Sequence, residues 1–138
     1  MKNAFTKTPK IWAALYILIL IGINYLLFFG RNYDSLKCPY FQKISPSFYS
    51  HISNFSISFI FVLIIGYLWI LQGIAFKKII IMAAVIVVLN FSYELFLPLI
   101  NTKDLVDAYF GMAGSLLATI LLLPIAIFGT KLKSGKTD

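Results

Sequence analysis

The sequence predicts an all-α fold, a four-helix bundle integral to a membrane with both chain ends on the cytoplasmic side. Three observations predict it. Hydrophobic residues make up 60% of the chain and charged residues 12%, about half the roughly 25% charged share of a soluble domain, and the mean hydropathy is +0.89. Four apolar runs are each long enough to cross a hydrocarbon core of about 30 Å, which takes about 20 helical residues. Lysine and arginine fall unequally at the two sets of run ends, the pattern that orients membrane proteins.

The first run, "IWAALYILILIGINYLLFFG" at 11–30, follows Lys2, Lys7 and Lys10. That layout is shared with secretory signals, but the run exceeds a signal's apolar core and no small-x-small site follows, so it is expected to remain as a span. The stretch 31–53 carries Pro39, Pro46 and many polar residues. It is expected to be an irregular outward loop with a short interfacial helix. The second run, "NFSISFIFVLIIGYLWILQGIAF" at 54–76, ends at the tight pair Lys77 and Lys78. The third, "IIIMAAVIVVLNFSYELFLPLI" at 79–100, leads through a turn at 101–104 into the fourth, "LVDAYFGMAGSLLATILLLPIAIFG" at 105–129. Backbone amides in lipid must be satisfied within the segment, so each run is expected to be a helix. Trp12, Tyr40, Tyr49 and Trp69 lie near run ends, as interfacial anchors do.

Lys2, Lys7, Lys10, Lys77, Lys78, Lys131, Lys133 and Lys136 fall on one side, and Arg31, Lys37, Lys43 and Lys103 on the other. The richer side is expected to be cytoplasmic. The whole chain is then one four-span domain with the loop 31–53 facing outward.

Several function classes are excluded. The net charge of +7 comes from lysines flanking apolar runs, with no basic face of the kind that binds nucleic acid. Cys38 is the only cysteine, which rules out an intrachain disulfide and paired-cysteine redox chemistry. There is no phosphate-binding G-x-x-x-x-G-K-[ST], no H-E-x-x-H and no G-x-S-x-G. His51 with Glu94, Asp104 and Asp107 could in principle bind a divalent metal, although their spacing fits no metal motif. No catalytic residue, metal or cofactor is assigned.

The polar residues inside the apolar runs are the candidates for function. Glu94 lies six residues before the end of the third run, and an ionisable group at such depth costs roughly 2.5–3.5 kcal/mol on insertion scales, so it faces a bundle interior or a wet cavity. Asn90 is one turn earlier on the same face. Pro98 frees the Glu94 carbonyl from its helical hydrogen bond and is expected to kink the helix. Asp104 and Asp107 open the fourth span. His51, Asn54 and Ser58 form a stripe at the start of the second, and Asn24 lies in the outer half of the first. Together they predict a polar pocket opening outward over an apolar floor, with Glu94, Asp107, His51, Asn90, Asp104 and Asn54 as ligand-binding residues. Structural roles are also open to them: Asp104 as an N-cap with Asp107 near the helix N-terminus, and Asn24, Asn90 and Ser58 as interhelical hydrogen-bonding groups. Gly111, Gly114, Ser115 and Ala118 form small-x-x-x-small pairs that let helices approach closely, either within the chain or against a second copy or membrane partner. Pro124 is expected to kink the inner end of the fourth span.

The region 90–118 resembles the signature of the VanZ-like family of small bacterial membrane proteins. That family has Glu-x-x-Gln on a membrane helix, often followed by proline, then a short basic turn, Asp-x-x-Asp at the next helix start, and spaced small residues. Glu94, Pro98, Asp104, Asp107, Gly114 and Ala118 match these positions, and His51 resembles the histidine near the start of the preceding span. The chain departs from the pattern at Leu97 in place of glutamine, Lys103 in place of arginine and Gly111 in place of asparagine, and it lacks the Asp-Lys pair before the histidine. Contacts made by those groups are therefore not carried over. The resemblance implies a multi-pass protein of the bacterial cytoplasmic membrane, a role in the cell envelope and a link to glycopeptide or lipoglycopeptide resistance. It implies no reaction.

The expected function is binding of a membrane lipid headgroup or envelope amphiphile in the outward pocket. The carboxylates favour amine-bearing, zwitterionic or neutral headgroups. The alternatives are a small proton-coupled transporter titrating at Glu94 and an accessory subunit docking through the fourth span.

Overall fold

The computed structural model describes residues 5–96 and 104–133. In chain order the elements are β1 (Lys7–Pro9), α1 (Ile11–Phe29), a 3-10 turn (Asp34–Leu36), α2 (Pro39–Ile44), α3 (Phe48–Leu71), α4 (Phe76–Phe96), α5 (Leu105–Phe128) and β2 (Thr130–Leu132). Helices α1, α3, α4 and α5 are each long and apolar enough to cross a membrane. They are apolar around the whole circumference, the mark of a helix whose outer face meets hydrocarbon rather than water. Leu18, Val88 and Ile120 are 62–64% exposed, and exposed apolar surface spread over every span calls for a lipid solvent. Four helices of this length and composition suggest a multi-pass membrane protein.

Helix α5 is the hub. It packs along α3 and more lightly against α4, while α1 lies against α3. Small residues make this arrangement possible. A Cβ on Gly114 would sit 2.2 Å from the Phe55 carbonyl oxygen and 3.1 Å from the Phe59 nitrogen, so the backbones of α3 and α5 touch there. Gly111, Ser115 and Ala118 are buried along the same face. This face is thus occupied within one copy of the chain. Below it Ala13, Ile17, Phe59, Val62, Leu63, Ile79, Ala118, Leu122 and Ile125 form the core. Consecutive helices α3 and α4 touch little, and a groove stays open between them.

The ends of the spans differ from the sequence expectation in instructive ways. Helix α3 starts at Phe48, ahead of residue 54, and stops at Leu71, short of 76. Its end is a Schellman motif: Gly73 N–H donates to the Ile70 carbonyl and Ile74 N–H to the Trp69 carbonyl, with Gly73 at φ +79°, a conformation glycine adopts without a Cβ penalty. Helix α5 continues through Pro124. The expected short helix in the loop is α2. Tyr49, expected as an interfacial anchor, is buried, and its hydroxyl accepts the Cys38 N–H at 2.7 Å, pinning the loop to α3. Lys2, Leu97, Pro98, Lys103, Lys136 and the end of the third span lie outside the described residues.

The all-α expectation needs one amendment. Strands β1 and β2 pair antiparallel, Thr8 opposite Lys131, and close a two-stranded sheet between the two ends of the chain. Lys10 N–H donating to the Gly129 carbonyl ties the start of α1 to the end of α5. Thr6 packs over Gly73. Both terminal strands and the α3–α4 turn therefore share one end of the bundle, with Lys7, Lys10, Lys77, Lys78, Lys131 and Lys133. The loop bearing Arg31, Lys37 and Lys43, the first turns of α3 and α5, and the last turn of α4 share the other.

Candidate functional site

At that second end, three helix ends converge on a charged cluster. Asp104 is the N-cap of α5: its backbone is extended at φ −133° and its Oδ1 accepts the Val106 N–H at 2.9 Å, which satisfies one of the unpaired donors at a helix start. Asp107 lies in the first turn of the same helix, where the macrodipole favours negative charge. Across from them, on the first turn of α3, His51 Nδ1 is 2.9 Å from Asp107 Oδ1 and 3.5 Å from Asp104 Oδ2. With Asp107 ionised the carboxylate can only accept, so Nδ1 carries the proton and donates it. The imidazole leans on Phe110, ring centroids 5.5 Å apart, and Phe48 closes the same aromatic wall.

Glu94 enters from α4. It is 4% exposed, and its Oε2 accepts the Asp104 N–H at 3.4 Å. This bond links α4 to the cap of α5 and fixes how Asp104 is presented. One turn deeper, Asn90 Nδ2 donates to Ser58 Oγ at 2.9 Å. The amide lies directly over Gly111, where a Cβ would come within 2.6 Å of Asn90 Nδ2. Gly111 is therefore the place on α5 that lets the Asn90 side chain pass. The result is two polar layers, a rim of the ionisable residues His51, Asp104, Asp107 and Glu94, and a neutral Asn90–Ser58 pair beneath.

The groove between α3 and α4 opens beside the lower layer. It encloses about 580 Å³ and is walled by Ile57, Phe61, Ile86, Leu89, Tyr93 and Phe96, with Ser58 and Asn90 on its rim. An apolar cleft with a few placed polar groups is the common form of a small-ligand site.

The sequence-predicted residues are thus placed unequally. His51, Asp104, Asp107 and Glu94 meet in one cluster, and Asn90 lies directly below. Asn54 is half-buried on α3 and, among the described residues, makes no hydrogen bond into the cluster. Asn24 is elsewhere: it is buried between α1 and α3, where its Nδ2 donates to the Ser56 carbonyl at 3.4 Å, and its Oδ1 and the Ser56 hydroxyl have no hydrogen-bond partner among the described residues. The sequence reading missed Phe110 and Phe48. Phe110 follows Asp107 by three residues, a spacing that places both on one helix face and would have marked it.

Comparison with family models, with curated proteins and with solved structures gives no match for this chain.

Proposed function

We propose that this chain is a VanZ-like protein of the bacterial cytoplasmic membrane. In this reading it binds the headgroup of an envelope lipid or amphiphile at the His51–Asp104–Asp107–Glu94 rim and lays the apolar chain into the α3–α4 groove. The observation that carries the reading is the juxtaposition itself. A charged cluster between membrane-type helices stands one turn above a neutral polar pair that borders an apolar groove. An amphiphile presents the same order of chemistry along its length. Six lysines at the end that holds β1 and β2, against Arg31, Lys37 and Lys43 at the other, support a cytoplasmic side for the first end and an outer face for the cluster.

The carboxylate oxygens accept hydrogen bonds and attract cations, so the headgroup they suit by themselves carries an amine or hydroxyls. Lipid co-purified in a lipid-preserving scaffold tests this. A specific amphiphile bound to the native chain and absent from the Glu94→Ala, Asp107→Ala double variant is the expected result. The same bulk lipid in both, with the variant folded, would reduce the cluster to capping and packing. The link to resistance has its own test: expression raises the inhibitory concentration of a lipoglycopeptide, and the double variant does not.

A further inference from the structure

We infer that His51, Asp104 and Asp107 form a binding site for a divalent transition-metal ion of the zinc class, with an open coordination position toward the aqueous end. Each residue offers one donor atom, and the three donors lie within 4.8 Å of one another. Two of the separations are 2.9 and 3.5 Å. Around a tetrahedral ion with bonds of about 2.0–2.2 Å, donor atoms stand roughly 3.3–3.6 Å apart. An ion replacing the Nδ1 proton therefore fits the two histidine–aspartate separations with small movements, and the two aspartate oxygens, within 4.8 Å of each other, close by up to about 1.5 Å. An imidazole nitrogen with carboxylate oxygens is a donor set that suits zinc, with manganese next.

Charge points the same way. Two carboxylates converge on one Nδ1–H, and a single proton serves only one of them well. Asp107 takes it, and Asp104 Oδ2 at 3.5 Å is beyond good hydrogen-bond range. Among the described residues neither aspartate has a lysine or arginine partner. The side chains of His51, Asp107 and Asp104 are 13%, 23% and 37% exposed, so water reaches Asp104 and screens the excess at Asp107 only in part. A divalent ion would neutralise it. Asp104 is also held in the attitude a ligand needs. Its Oδ1 is taken by the Val106 N–H and its own N–H by Glu94, which leaves Oδ2 on the His51 side. Groups that orient a ligand from behind in this way accompany most metal ligands. The spacing 51, 104, 107 conceals the site from a motif reading, because the histidine and the aspartates belong to different helices.

Three protein donors leave at least one position free, as in zinc sites that take a water or a substrate. If the headgroup reading holds, on which this clause rests, the metal reverses the preference of the bare carboxylates, and a phosphate oxygen becomes the natural occupant of that position.

The test is a zinc titration of chelator-stripped protein in detergent micelles, against a competing chromophoric chelator, with no polyhistidine tag. One saturable equivalent is expected for the native chain. His51→Gln and Asp107→Asn are expected to weaken it by at least about tenfold, the lower bound seen when groups behind metal ligands are removed. Asp34→Asn should leave it unchanged, since Asp34 pairs with Lys37 in the exposed loop. Absence of a saturable site in the native chain overturns the inference without reference to any variant. Equal affinity in variants that keep native helix content overturns it as well. Lipid retention by the stripped protein is read separately, so the metal site and the headgroup site fail independently.

Discussion

Replacing Gly114 by alanine adds one methyl group where α3 and α5 touch. The new Cβ would lie 2.2 Å from the Phe55 carbonyl oxygen, while ordinary contact begins near 3.4 Å. The obstacle is helix backbone, so the helices themselves must separate by about an ångström. Overpacking of this kind costs about 1–3 kcal/mol, and a backbone clash belongs at the upper end. Alanine also recovers about 1 kcal/mol of helix propensity, so the net expectation is a loss of about 2 kcal/mol. Two companions isolate the terms. At Gly22 nothing lies within 4 Å of the added Cβ, so Gly22→Ala should show the propensity gain alone. At Gly111 the clash is with the Asn90 side chain, which can swing away at the loss of its bond to Ser58, about 0.6 kcal/mol in a membrane protein, leaving that variant close to native. Reversible unfolding in mixed micelles, followed by Trp12 and Trp69 fluorescence, measures all three. The expected order of stability is Gly22→Ala first, Gly111→Ala near native, and Gly114→Ala last, about 3 kcal/mol below the first. Equal stability of Gly114→Ala and Gly22→Ala would refute the backbone contact and, with it, the central place of α5.

Three further outcomes follow from the same geometry. Asp104→Ala should cost about 1 kcal/mol through loss of the α5 cap, while Asp104→Asn should remain near native, because asparagine caps equally well; the same unfolding assay reads both, and equal losses would deny the cap. Gly73→Ala should destabilise by about 1 kcal/mol or more, since φ there is +79° and the Cβ would meet Thr6 Oγ1 at 2.6 Å; an unchanged midpoint would mean that the α3–α4 turn is free to rearrange. Exposed Cys38 should react with a membrane-impermeant maleimide applied to intact cells, whereas Lys131→Cys in a Cys38→Ser background should react only after permeabilisation; the opposite pattern would invert the orientation.

The spans were legible because hydropathy over 20 residues leaves little else for them to be. Their ends were not, for reasons that differ. At the start of α3, Ser50, His51 and Ser53 depress hydropathy, so the apolar run marks where hydrocarbon would begin and misses the earlier first turns of the helix. At its end, the apolar residues Ile74, Ala75 and Phe76 mask the stop, although Gly73 is the kind of residue that terminates a helix. The β1–β2 pair had no local signal at all. Its strands are three residues each and come from opposite ends of the chain, so only the folded bundle brings them together. The candidate site shows the same division. Ionisable residues in apolar sequence were conspicuous, and four of them meet. The pairing of His51 with Asp107 spans 56 positions and depends on how α3 lies on α5, which Gly114 decides and no spacing reveals. Asn54 shares a polar stretch with His51 and Ser58, yet at about 100° per residue it stands some 60° round the helix from His51, whereas Ser58 returns to within about 20°. That is why Ser58 reaches Asn90 and Asn54 reaches nothing in the cluster. The carboxylates gather between residues 94 and 107 because this is where α4 ends and α5 begins. A helix N-terminus there stabilises negative charge and supplies the cap's donor, and the first turn of α3 brings the chain's one histidine against both aspartates.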